Sequence, residues 1–143
     1  MSKQTVPVLE TTMQKAHLWF KDLTALMGWE DQQLAYLALR AVLHALRDRL
    51  PIEVAAKLGA QLPILIRGIY YEGWVPAHVP FNVRHLEDFL ELITSYLGND
   101  LLIPDVELIT KNVLKVMASH LSEGEMDHLK KVLPKSIASL WPF

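Results

Sequence analysis

Histidines close to carboxylates are the first side chains in this sequence that could do chemistry. Glu125 and His128 stand three positions apart in a helical stretch, the spacing with which di-iron bundles place a carboxylate and an imidazole on one metal. Such a site needs a second Glu-x-x-His motif, and the sequence contains no other copy. His85 and Asp88 form a similar pair. A solvated polar helix face is the more ordinary interpretation of both pairs, so we expect no metal and no other cofactor.

Nucleophilic catalysis has weaker support still. The chain has no cysteine, which excludes thiolate chemistry, disulfides and cysteine-bound zinc. Ser119 and His120 are neighbours in sequence, and consecutive helix residues point about 100° apart. No Gly-x-Ser-x-Gly elbow and no glycine-rich phosphate loop occurs. We therefore predict no catalytic residue, and an enzyme is the less favoured class of function.

A basic stripe is the candidate for binding an anion. Arg40, His44 and Arg47 recur at i, i+4 and i+7, which places them on one face of a helix. Weak binding of nucleic acid, of phosphate or of an acidic partner surface is the sharper hypothesis for this face, and a solvated surface opposite the core is the plainer one. The net charge of −2 favours the plainer one, because nucleic-acid binding depends on positive charge. Nucleic acid is therefore an unexpected partner.

Aromatic residues form the candidate surface for a protein partner. Tyrosine and tryptophan suit such surfaces because they combine a large apolar area with a polar tip. Tyr70 and Trp141 lie 71 positions apart in stretches that repeat one another, which favours equivalent core positions for both. Tyr71 and Trp74 have no equivalent aromatic residues in the second stretch. We expect these two to contact a partner.

The elements that carry these residues come from an internal repeat. Leu-Pro followed by Ile three residues after the Pro occurs at Leu62 and again at Leu133. Seven residues fall on identical ones 71 positions later without a gap: Val42, Leu43, Leu50, Leu58, Leu62, Pro63 and Ile66. Because periodic self-similarity of this kind indicates repeated structural units, the sequence predicts a tandem duplication.

Each copy is predicted to contain two longer helices followed by two short ones. A flexible N-terminus over 1–11 precedes the first copy at 12–72, and a connector at 73–81 leads to the second copy at 82–143. Neither copy is large enough to bury a stable core comfortably. The prediction is therefore an all-α fold, with eight helices in a pseudo-twofold bundle around a core that the repeats share.

Proline, glycine and serine predict where these helices begin and end. Proline suits the first turn of a helix and glycine the position just past its end. Pro51, Pro63, Pro104 and Pro134 are predicted to begin helices, and Gly28 and Gly98 to end them. Ser122 to Glu125, "SEGE", is predicted to form a capping box.

Two stretches of the sequence resemble a known family. They are "AVLHALRDRLPIEVAAKLGAQLPILIRGIYYEGW" and "VLKVMASHLSEGEMDHLKKVLPKSIASLWP". With its Leu-Pro and Tyr-Tyr-Glu-Gly-Trp motifs, the chain resembles the bacterial domain-of-unknown-function family numbered 2267 from about Thr12 to Phe143. The resemblance implies a small two-repeat helical protein of a bacterium, and it implies no established activity.

Composition narrows the classes of function. Of the residues, 51% are hydrophobic and 21% charged, a balance typical of soluble globular proteins. The first residues lack the apolar segment of a signal peptide, and no apolar run approaches the ~20 residues of a membrane span, so we expect a cytoplasmic protein. A helical protein-interaction or scaffold module is the favoured function. The alternative is a small-molecule binder or enzyme with a pocket at the repeat interface.

Overall fold

The computed structural model describes residues 6–98 and 105–142. Its elements, in chain order, are the helices α1 (Pro7–Met27), α2 (Gln32–Arg49), α3 (Ile52–Gln61) and α4 (Ile64–Tyr71), a 3₁₀ turn at Pro76–His78, and the helices α5 (Leu86–Leu97), α6 (Val106–His120), α7 (Glu123–Val132) and α8 (Lys135–Ala138). The predicted all-α class is confirmed, with eight α-helices and no strand in these two ranges. None of the helices within them is long and apolar enough to cross a membrane.

Local signals set several helix ends. Gly28 ends α1 in the left-handed region at φ 70°, which glycine adopts without steric cost. The Asp31 side chain caps α2 by accepting a hydrogen bond from the Gln33 amide at 2.8 Å. Pro63 immediately precedes α4 instead of forming its first residue, and its carbonyl accepts a bond from the Arg67 amide at 2.7 Å. The predicted end of α1 at Gly28 and the predicted start of α4 at Pro63 are thus correct to within about one residue.

Two helix starts differ from the sequence prediction. α1 begins at Pro7 instead of Thr12, because proline at the first helical position initiates a helix without losing a hydrogen bond. Residues 7–11 are therefore helical, although we expected them to belong to the flexible N-terminus. α5 begins at Leu86 instead of Asn82. The predicted start of α6 at Pro104 lies outside the described residues, and the Asp105 side chain caps that helix.

The core face of α1 also differs from the prediction. Ala16, Trp19 and Leu23 are at most 1% exposed and recur at the spacing of one helix face. The sequence predicts an apolar stripe of Leu18, Leu23, Leu26 and Met27 for this helix, but Leu18 and Leu26 are 48% and 46% exposed. Leu18 points about 100° away from Trp19. The indole therefore fills the core where we expected leucine.

The helices on the two sides of the connector are interleaved. α1 packs on α6, α2 packs on α5, and α2 and α6 contact each other. Tyr70 and Trp141 are buried, as predicted from their equivalent positions. The Tyr70 hydroxyl donates to the Ala55 carbonyl at 2.7 Å, and the Trp141 indole donates to the Met126 carbonyl at 2.9 Å. One hydrophobic core thus draws on residues from before and after the connector.

Candidate functional site

The basic stripe of α2 binds the C-terminal end of α4. His44 Nε2 donates to the Ile69 carbonyl at 2.7 Å. Arg47 Nη1 donates to the Tyr70 carbonyl at 2.8 Å and also to the Glu72 carbonyl. The last carbonyls of a helix have no donors within the helix. The two side chains therefore cap α4 from outside and fix the start of the connector.

Burial corrects the expectation of a solvated basic face. His44 is 4% exposed and Arg47 is 5% exposed. Burial lowers the pKa of His44 below its ordinary value, which suits a neutral ring that donates to a carbonyl. Arg40 is half-buried, and its Nε lies 3.2 Å from the Glu72 carboxylate. The buried Arg47 guanidinium is thus hydrogen-bonded to the protein's own main chain. Phosphate binding through this stripe stays a prediction.

A buried charge network, formed by Arg47, Asp48 and Tyr96, continues from this stripe. Arg47 Nε donates to Asp48 Oδ1 at 3.1 Å, and the Tyr96 hydroxyl donates to Asp48 Oδ2 at 2.6 Å. Burial and this hydrogen bond raise the pKa of Tyr96 well above its ordinary value. The Phe81 amide donates to the Asp48 carbonyl at 2.7 Å. The network therefore joins α2 to α5 and to the end of the connector.

The expected partner-binding residues are half-buried. The Tyr71 ring lies over Gly59 of α3, and its hydroxyl donates to the Ala56 carbonyl at 3.3 Å. The Trp74 ring lies beside it, with ring centroids 5.4 Å apart. Trp74 Nε1 is buried and has no hydrogen-bond partner among the described residues. The two rings fasten the connector to α3 and still present part of their surface to solvent.

Gly59 is expected to be essential for this contact. A Cβ at position 59 would lie 2.2 Å from the Tyr71 hydroxyl oxygen, whereas a Cβ at Gly68 would meet no atom within 4 Å. We expect Gly59→Ala to lower the free energy of unfolding by about 1–3 kcal/mol through overpacking. Gly68→Ala, the matched control, should raise it by about 0.5–1 kcal/mol because alanine favours the helix. Urea denaturation of both variants measures the difference, and equal stabilities would contradict the packing of Tyr71 on Gly59.

Glu125 and His128 line a cleft of about 520 Å³ between α3 and α7, here called the α7 cleft. Glu125 is 5% exposed, and its Oε2 is buried without a hydrogen-bond partner among the described residues. In 6–98 and 105–142, no group of three or more histidine, aspartate or glutamate side chains converges as metal ligands would. His85 and Asp88 are both exposed on α5 and its N-terminal cap.

A second cleft, of about 450 Å³, lies between α1, the corner joining α3 to α4, and the end of α6. It is here called the α1 cleft. Polar side chains from all three places reach it: Thr11, Thr12, Lys15, Gln61, Arg67 and His120. No carboxylate of residues 6–98 and 105–142 lines it. In this part of the chain the cleft therefore combines the positive charges of Lys15 and Arg67 with hydroxyl groups.

Arg67 is held in place at the wall of the α1 cleft. Its Nη2 donates to the Leu62 carbonyl at 2.9 Å and to the Ala60 carbonyl at 3.4 Å, the carbonyls that end α3. Its Nε is buried without a partner among the described residues. A guanidinium has five N–H donors, and both of these bonds use Nη2, so Nη1 has no hydrogen-bond partner among the described residues.

His120 is fixed by contacts on two sides. Its Nε2 lies 2.7 Å from Asp22 Oδ2. Its ring stacks on Trp19, with centroids 4.9 Å apart and planes 16° from parallel. Ser119, its sequence neighbour, donates to the Val116 carbonyl instead. The considered Ser-His pair is therefore not formed, and His120 contributes to the α1 cleft.

Sequence comparison places the chain within a family. The family described as "Uncharacterized conserved protein (DUF2267)" matches residues 16–140. The chain belongs to this family. The resemblance read from the sequence is thereby confirmed. The DUF2267 match includes the α7 cleft, Arg67 and His120, whereas Lys15 lies just before it. No curated protein matches the chain.

Proposed function

We propose that the chain binds a small organic anion in the α1 cleft. The observation that carries this proposal is the lining, which brings Lys15 and Arg67 together with no carboxylate of the described residues. His120 also lines the cleft, paired with the Asp22 carboxylate. Its volume of about 450 Å³ lies in the ~300–1,000 Å³ range of small-molecule pockets. A carboxylated or phosphorylated molecule matches this charge, because the planar fork of arginine binds both groups in a bidentate manner.

The geometry of the cleft favours binding with little reorganisation. The carbonyls at the end of α3 hold the Arg67 guanidinium, and the Asp22 carboxylate and the Trp19 ring hold His120. Side chains that are already ordered lose little conformational entropy when a ligand arrives. The exposed Lys15 side chain supplies a further cation to the lining.

The position of the cleft favours a binder over the interaction module that the sequence suggested first. α1, α3 and α4 precede the connector, and α6 follows it. A pocket between the two halves is what the sequence analysis associated with the alternative function, a small-molecule binder or enzyme.

Two exposed lysines of α1 allow a matched test. Lys15 lines the cleft and Lys21 does not. Inorganic phosphate, pyrophosphate, acetate and citrate are titrated at constant ionic strength, and binding is followed by amide chemical shifts. We expect Lys15→Met to weaken binding by about tenfold, equivalent to about 1.4 kcal/mol, and Lys21→Met to leave it unchanged. No saturable shift with any anion, or equal effects of the two substitutions, would contradict the proposal.

The second candidate function is protein docking at the connector. It is favoured by the half-exposed ring pair of Tyr71 and Trp74, whose centroids lie 5.4 Å apart. Aromatic surfaces bind extended proline-rich segments. A synthetic proline-rich peptide is therefore expected to bind wild type more tightly than Trp74→Leu, which removes the aromatic ring and stays apolar. Trp29→Leu is the control, and equal affinity of wild type and both variants would exclude this surface.

We also infer that the chain arose by internal duplication. Support comes from the hydrogen bonds of Tyr70 to Ala55 and of Trp141 to Met126, since both members of the second bond lie 71 positions after those of the first. The packing of α1 on α6 and of α5 on α2 is what an exchange of the two copies would produce. Under this relation the two clefts lie where the copies meet.

A further inference from the structure

The carboxylate of Glu125 is an unexplained feature of the α7 cleft. The side chain is 5% exposed, and Oε2 is buried with no hydrogen-bond partner in the described part of the chain. A buried carboxylate oxygen without a donor is unfavourable. Native proteins retain few such groups, and strain, a catalytic role or a bound water or ion is the usual explanation for each.

Local structure does not account for a glutamate at this position. The Ser122 hydroxyl accepts a hydrogen bond from the Glu125 amide at 3.1 Å, a bond that any residue at position 125 would make. The predicted capping box would also use the Glu125 side chain, and Oε2 makes no such bond. Val54 stands 71 positions earlier and is half-buried on α3. The position that corresponds to Glu125 in the first half of the chain is therefore occupied by an apolar residue.

The facing wall of the cleft carries an unpaired cation. Lys57 of α3 is exposed and has no acidic partner among the described residues. Lys131 of α7 is paired with Asp127 at 3.0 Å, so its charge is already offset. Beside the Asp127–Lys131 pair and His128, one unpaired carboxylate and one unpaired ammonium group of the described residues thus line the same cleft, and no ion pair joins them.

We propose that the α7 cleft binds a small zwitterion of the α-amino-acid type. Its ammonium group would donate to Glu125, and its carboxylate would lie against Lys57. The Glu125 carboxylate needs only rotation about its terminal torsion, which is broad for this group, to direct either oxygen to the ligand. Charge-assisted hydrogen bonds at both ends are the strong class of such bonds. The cleft volume of about 520 Å³ leaves room for a side chain.

This inference does not rest on anion binding in the α1 cleft. Gln61 lines both clefts, and every other lining residue belongs to one of them. Lys15→Met should therefore leave zwitterion binding unchanged, and variants of Glu125 should leave phosphate binding unchanged. The two proposals can fail separately.

The test uses the full chain with glycine, L-leucine and L-lysine as probes, and with acetate and methylammonium as the separate halves. Amide chemical shifts on α3 and α7 report binding. We expect at least one amino acid to bind about tenfold or more tightly than either half. Glu125→Gln should abolish this preference, whereas Glu123→Gln, an exposed carboxylate in the same helical turn, should not. No saturable binding of any amino acid, or equal effects of the two substitutions, overturns the proposal.

A second measurement distinguishes a binding residue from a structural one. We expect Lys57→Met to weaken amino-acid binding by about fivefold or more without lowering the melting temperature of the unliganded protein. We expect Glu125→Val to raise that temperature, because it removes an unpaired buried carboxylate. If Lys57→Met and Glu125→Gln both lower it, and the double variant lowers it no further, the two side chains pair with each other in solution. That result also overturns the proposal.

Discussion

Replacement of Arg47 by methionine is expected to lower the free energy of unfolding by about 3–5 kcal/mol, because removing one partner of a buried ion pair leaves the other charge uncompensated. Arg47 is 5% exposed, and its Nε lies 3.1 Å from Asp48 Oδ1. The substitution also leaves the Tyr70 and Glu72 carbonyls without their donor. Methionine has a similar length and keeps the apolar packing of the stem, so the loss reports the charge and the hydrogen bonds.

Arg40→Met is the matched control. Arg40 lies on the same face of α2 and pairs with the Glu72 carboxylate, which is 63% exposed. Exposed ion pairs contribute only about 0–1 kcal/mol. Adding Asp48→Asn to Arg47→Met should recover part of the stability, since the double variant has no uncompensated carboxylate. Urea denaturation measures all three variants. Equal losses for Arg47→Met and Arg40→Met would show that the buried charge network does not hold the connector.

The basic stripe shows which features of a candidate site can be predicted from the sequence and which cannot. The spacing of Arg40, His44 and Arg47 correctly predicted that they share a face of α2. It could not predict what covers that face, because the carbonyls that His44 and Arg47 bind belong to Ile69, Tyr70 and Glu72, which follow about 25 residues later. Helical periodicity shows which residues share a face of one helix. Whether that face is buried or exposed to solvent depends on tertiary packing.

The helix ends were predictable for a related reason. Asp31 and Ser122 cap their helices through amides two and three residues later, so the whole interaction lies within a few positions of sequence. The α1 cleft has no such local signature. Its three basic residues are far apart in sequence, with about fifty positions from Lys15 to Arg67 and again from Arg67 to His120. In the sequence, none of them is distinguishable from an ordinary surface residue. Their convergence depends on α1 lying against both α4 and α6.

Separation of the two halves is expected to abolish cooperative folding of the monomer. In residues 1–76 alone, α1 lacks the α6 surface and α2 lacks the α5 surface on which they pack. Tyr96, the donor to Asp48, is also lost from the buried charge network. A chain of this size buries only about 60% of its unfolded surface even when its core is complete. Exposing the two contact faces to water therefore removes the main source of stability.

Circular dichroism during heating and sedimentation at several concentrations test this expectation on fragments 1–76 and 77–143. Each fragment alone should lack a cooperative transition as a monomer, and an equimolar mixture should regain helicity and a melting transition. Because the contacts of α1 with α6 and of α2 with α5 are not interrupted by cleavage at the connector, the mixture can rebuild the same core. A folded homodimer of 1–76 would agree with duplicated halves, since α1 of one copy could replace α5 of the other. Cooperative unfolding of 1–76 as a monomer would contradict the shared core.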